Sequence, residues 1–169
     1  MSTITIEPIA GALGANVHGV DLGKPIEDAV FDEFLQAFHT YQVLFLPEQS
    51  LNPTSQFALA ARFGLPNVYA FAEGLPERPE VVEIIKEPSE AKNFGGVWHS
   101  DQPYLERPPC VTILHAKDVP RHGGDTLLAS MTLAYEALSP GLKRAIRSLR
   151  AINSADIGGR GRARRGGYK

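Results

Sequence analysis

Polar and apolar positions alternate along TITIEP (3–8) with the period of a half-buried strand, and ANVHGVDL (15–22) reads as a second short extended piece. From Pro25 the period changes. Val30, Phe31, Phe34, Leu35 and Phe38 mark one face of an amphipathic helix with acids in its first turns. The apolar run VLFL (43–46) predicts a buried strand. NPTSQFALAARFG (52–64) carries helix punctuation: Asn52 to cap, Pro53 at the first helical position, and Gly64 just past the end.

Downstream, VVEII (81–85) is a further strand and KEPSEAKNFGG (86–96) a polar loop. VWHSD (97–101), CVTILHA (110–116) and DTLLAS (125–130) are three more extended runs, separated by turns that contain Pro or Gly. MTLAYEAL (131–138) and SPGLKRAIRSL (139–149) predict two helices, the second with Leu142, Ile146 and Leu149 on one side. Helices early and late with short strands between them make an α+β order. No repeat of fixed period, strand–GxGxxG–helix unit or P-loop is present. Gly123-Gly124 precedes an aspartate and a strand rather than opening a helix, which argues against a phosphate cradle.

The 169 residues suit one domain with a real core, and 43% hydrophobic with 21% charged residues is an ordinary soluble composition. No apolar run approaches a membrane span, and MSTITIEPIA lacks the pattern of a secretory signal. Cys110 is the single cysteine, so no internal disulfide forms, in keeping with a reducing cytoplasm.

Charge divides the chain. GGRGRARRGGYK (158–169) holds five basic residues and no acid, leaving 12 basic against 19 acidic residues in 1–157, a formal charge of −7. A nucleic-acid partner would rest on that run alone. The expectation is instead a disordered or artefactual end, such as a misread frame, with neither nucleic acid nor membrane as a partner.

The chemistry concentrates in GGVWHSDQPYLERPP (95–109). If VWHSD is a strand, His99 and Asp101 project from one face while Ser100 points away. An imidazole and a carboxylate side by side serve either as a base with its orienting partner or as two cis ligands of a divalent metal. Completed by another histidine, the pair is the facial arrangement of non-haem Fe(II) oxygenases. An isolated HxD is more often a surface contact. Here, however, it follows Gly-Gly, sits beside Trp98, and is trailed by Pro108-Pro109 and GGDTL (123–127).

WHSDQPYLERPP, AKDVPRHGGDTLLAS and AYEALSPGLK, together with GANVHGVDL, QVLFLPEQ and ALAARFG, closely resemble the taurine dioxygenase-like (TauD/TfdA) family, from about the first residue to about Arg150. The resemblance implies a double-stranded β-helix, or jelly roll, with flanking helices. It implies Fe(II) as cofactor, 2-oxoglutarate and O2 as cosubstrates, and hydroxylation of a small organic substrate with release of succinate and CO2. Carried over by position, His99 and Asp101 are two iron ligands, and Thr126 in GGDT hydrogen-bonds a 2-oxoglutarate carboxylate. A hydroxyl donor suits that role, since a buried carboxylate needs donors.

The family's third ligand, a downstream histidine, and the arginine that follows it have no match in this chain, and Arg160, Arg162, Arg164 and Arg165 do not align with that arginine. His18, His39, His115 and His122 are poor substitutes for the histidine. The resemblance thus implies a truncated domain over 1–157. Its alternatives are an inactive fragment, a non-enzymatic binding module, and a cupin-like metal enzyme that uses no 2-oxoglutarate. Taurine-specific members carry a histidine after RFG and an asparagine before WH. LPNVYAF and GGV stand in those places here, which argues against taurine itself; a small organic substrate, a sulfonate or carboxylate, is what the resemblance implies. Tyr69, Asn93 and Gln102 are the candidate substrate contacts by position. A homo-oligomer is compatible with this reading.

Overall fold

A computed structural model describes residues 4–91 and 94–155. The described chain forms three strands and four helices: β1 Thr5–Pro8, β2 Ala15–His18, α1 Asp28–Tyr41, β3 Leu44–Phe45, α2 Pro53–Phe63, α3 Met131–Glu136 and α4 Pro140–Ile146. It divides into two compact units, Met1–Leu51 with His115–Arg150, and Asn52–Leu114 with Ala151–Lys169. The run 158–169 and Asn93 lie outside the described residues.

The first unit holds the sheet. β2 is central, antiparallel to β1 with Ile6 opposite Val17, and parallel to β3 with Ala15 opposite Leu44. Gly14, at φ 96°, makes the entry to β2, where its amide donates to the Tyr41 carbonyl at the end of α1. Only glycine takes that backbone angle at little steric cost. α1 buries Phe31, Phe34 and Ala37, and these join Ile4, Ala15, Val17, Leu22 and Leu51 as the core of this unit. The spacing of that stripe is the helical period. Gln49 ties the loops together: its side chain accepts from the Leu22 amide at 2.8 Å and donates to the Val20 carbonyl at 3.1 Å. Residues 115–117 are held to the same loop, with His115 Nε2 3.3 Å from the Gln49 carbonyl and Lys117 Nζ donating to the Leu51 carbonyl at 2.9 Å.

In the second unit α2 starts as its punctuation predicts. Asn52 accepts from the Ser55 amide at 2.8 Å while Ser55 Oγ accepts from the Asn52 amide at 3.0 Å, a reciprocal capping box with Pro53 in the first turn. Leu59 is its buried anchor.

The middle strands do not form. Residues 81–85, 97–101, 110–116 and 125–130 have no regular ladder, and β3 shrinks to two residues with Phe45 exposed. A strand exists only through pairing of its backbone donors and acceptors. Among the described residues these runs have no partner strand. Several of their apolar side chains are exposed, Leu114 and Leu127 among them, while Val81, Val82, Val111 and Ile113 are half-buried. The predicted apolar side of the last helix is also not buried, for Leu142 and Leu149 are exposed. The observed architecture is thus a small three-stranded sheet with helices.

Candidate metal centre

Both His99 and Asp101 belong to the second unit, in an irregular loop rather than the expected strand. Three features of that loop aim their side chains. Gly95 sits at φ 65°, and a Cβ there would stand 3.3 Å from His99 Cε1, so the glycine backbone lies against the imidazole. His99 Nδ1 is 2.7 Å from the carbonyl oxygen of Val97. Because a carbonyl only accepts, that contact assigns the proton to Nδ1 and, in the neutral ring, leaves the lone pair on Nε2. Asp101 is held from the other side, where Thr112 Oγ1 donates to its Oδ2 at 2.6 Å.

The result brings His99 Nε2 to 3.2 Å from Asp101 Oδ1. With Nδ1 protonated, two lone-pair atoms face each other across that gap. They repel unless a cation lies between them: a proton, giving an imidazolium–carboxylate pair, or a metal ion. The side chains are 49% and 47% exposed, so either cation has access. No third His, Cys, Asp or Glu gathers with them among the described residues.

Past Asp101 the chain turns sharply. Gln102 takes a left-handed φ of 46°, its carbonyl accepts from the Leu105 amide at 3.1 Å, and its Oε1 accepts from Asn67 at 3.0 Å. The turn points Tyr104 into an aromatic cluster. Its ring packs on Phe71 at 5.8 Å, Phe71 on Tyr69 at 5.7 Å, and Tyr69 on Phe94 at 6.5 Å, all in edge-on arrangements. The Tyr104 hydroxyl is buried without a hydrogen-bond partner among the described residues. Burial, then the neighbouring Tyr69, pushes this phenol above its ordinary range.

Of the residues singled out from sequence, His99 and Asp101 come together, and Tyr69 and Gln102 lie in the same unit. Thr126 belongs to the other unit, exposed, following Gly123 and Gly124 at φ 79° and 73°. His115 and His18 are engaged there too, the latter 3.8 Å from Glu7. Sequence reasoning missed Thr112, Phe71 and Tyr104. A Tyr-x-Phe spacing at 69–71 could have flagged the aromatic cluster, but nothing local links residue 112 to residue 101.

A profile of the "Taurine catabolism dioxygenase TauD, TfdA family" matches residues 5–166, past Arg150. An (S)-phenoxypropionate/alpha-ketoglutarate-dioxygenase of Sphingobium herbicidovorans is 32% identical over 160 residues, 88% of this chain and 53% of that protein. Among solved structures, a taurine dioxygenase from Burkholderia xenovorans superposes with TM-score 0.70 at 30% identity, covering 86% of this chain and 52% of the other. AAD-2 in complex with Mn(II) and N-oxalylglycine gives TM-score 0.62 at 28% identity, with 85% and 49% covered. The chain spans about half the length of the relatives it matches.

Proposed function

The chain belongs to the TauD/TfdA dioxygenase family, and on that premise we propose that it contributes His99 and Asp101 as iron ligands to an Fe(II)- and 2-oxoglutarate-dependent dioxygenase. One observation carries the reading: the 3.2 Å gap between His99 Nε2 and Asp101 Oδ1, with a lone pair on each side. Two cis ligands about 2.1 Å from a first-row divalent ion stand roughly 3 Å apart, so the pair fits such an ion. Imidazole and carboxylate are the ligand types that Fe(II) oxygenases use.

When bound, iron would supply the oxidising chemistry that couples O2 and 2-oxoglutarate to hydroxylation of a C–H bond, with succinate and CO2 released. The protein's own part is geometry. The Val97 carbonyl fixes the tautomer and rotation of His99, and the carboxylate of Asp101 offsets the cation's charge. Thr126 is the proposed donor to a 2-oxoglutarate carboxylate. Tyr69, Asn93 and Gln102 are the proposed substrate contacts, and a small organic carboxylate or sulfonate is the proposed substrate. The proposed fold of the whole domain is the family's jelly roll, in which the unpaired runs 81–85, 97–101, 110–116 and 125–130 would find ladder partners.

A second reading, that the 169-residue chain alone is catalytically silent, is favoured by the lack of a third protein ligand among the described residues. One experiment serves both. Anaerobic Fe(II) and 2-oxoglutarate, added to a complete family protein carrying this segment, should give a weak visible charge-transfer absorption that His99→Ala removes. An intact signal in that variant would refute the ligand assignment. Succinate formed from 2-oxoglutarate by the purified 169-residue chain would refute the second reading.

A further inference from the structure

We propose that Thr112 is a positioning residue that caps one oxygen of Asp101 and so dictates which oxygen faces the metal; this rests on His99 and Asp101 being ligands. The Thr112 Oγ1 to Asp101 Oδ2 distance of 2.6 Å lies in the range of a charge-assisted O–H···O⁻ bond. It is the shortest side-chain contact described at the pair and spans eleven residues of chain.

Thr112 is itself anchored. On one side Cys110 Sγ donates to the Phe63 carbonyl at 3.7 Å. On the other, Gln56 Nε2 donates to the Ile113 carbonyl at 3.2 Å. Both partners lie on α2, whose start is locked by the Asn52–Ser55 box. The hydroxyl therefore reaches Asp101 from a segment pinned at two points to a capped helix, within one compact unit.

This arrangement has a consequence for coordination. With Oδ2 occupied by the Thr112 hydroxyl, only Oδ1 points across the gap to His99 Nε2. Asp101 then binds through one oxygen. A carboxylate free to rotate could take up a second position on the ion, one that a chelating cosubstrate needs. The hydroxyl also removes rotational freedom that the carboxylate would otherwise lose on metal binding, which favours association. Outer partners of this kind contribute about 10- to 100-fold in metal affinity.

The test is Mn(II) binding to the 169-residue chain, followed by the electron paramagnetic resonance of free Mn(II). Thr112→Val keeps the shape and removes the donor. Thr112→Ser keeps the donor. The expected result is affinity weakened about 10- to 100-fold in the valine variant and restored to within about threefold of the parent by serine. Thr112 is exposed, so neither change should compromise folding, and thermal unfolding of each variant checks this. Unchanged or tighter Mn(II) binding in Thr112→Val would overturn the proposal, even if its melting temperature drops, for the contact would then be only a staple between two loops. Equal losses in the valine and serine variants would overturn it too. Failure of the underlying ligand reading shows separately, as Mn(II) binding that survives His99→Ala.

Discussion

His99 donates from Nδ1 to the carbonyl oxygen of Val97 over 2.7 Å, and that single bond sets the chemistry of the loop. It turns the other ring nitrogen into an acceptor and aims it at Asp101. The ring's position depends in turn on the close approach of Gly95.

Gly95→Ala should disturb the pair from outside it. The residue would have to hold φ 65° with a side chain, at a cost of about 1–2 kcal/mol. Its Cβ would press on His99 Cε1 at 3.3 Å. Urea unfolding should show that loss of stability, and the His99 ring resonances should move. Identical His99 shifts in parent and variant would contradict the described packing.

Removing the cap of α2 should loosen the helix to which residues 110–113 are tied. Asn52→Ala leaves the Ser55 amide without its acceptor and is expected to destabilise the protein by about 1 kcal/mol. Thermal unfolding measures it. Asn52→Ser, which can still cap, should recover most of the loss.

The core of the first unit gives a contrast in magnitude. Phe34→Ala, at a buried position of α1, should cost about 3–5 kcal/mol. Leu142→Ala, on the exposed face of α4, should stay within about 0.5 kcal/mol. Comparable losses at both sites in denaturant titrations would mean that the α4 face is buried after all.

The elements legible in the sequence are those whose causes are local. α2 follows from Asn52-Pro53 at the start of a turn and spans the residues its punctuation predicts, and α1 follows from a helical stripe, though it begins at Asp28, three residues after Pro25. The runs 81–85, 110–116 and 125–130 have the composition and alternation of strands, which report suitability for pairing and not the partner. The site shows the same division. Strand geometry predicts His99 and Asp101 on one face, yet they meet through a loop, by way of the Val97 carbonyl and Gly95. Thr112 was invisible because its bond to Asp101 depends on tertiary placement.

Tyr104 predicts a pH dependence with a definite sign. Its phenol is raised by burial first and by Tyr69 second, so the folded state resists an ionisation that the unfolded chain undergoes freely near pH 10. Stability should fall as pH rises above the ordinary phenol range, and Tyr104→Phe should lessen that fall. At neutral pH the variant, relieved of a buried hydroxyl without a partner, should be as stable as the parent or up to about 1 kcal/mol more stable. Ultraviolet tyrosinate titration with parallel unfolding curves checks both.

The most direct test of the central claim is the ¹⁵N spectrum of the His99 ring, with Zn(II) as a diamagnetic probe ion. The Val97 contact predicts a ring that keeps its Nδ1 proton, and an Nε2 resonance that moves on Zn(II) addition in the parent but not in Asp101→Ala. A ring protonated at Nε2 alone, or an Nε2 resonance indifferent to Zn(II), would contradict that assignment.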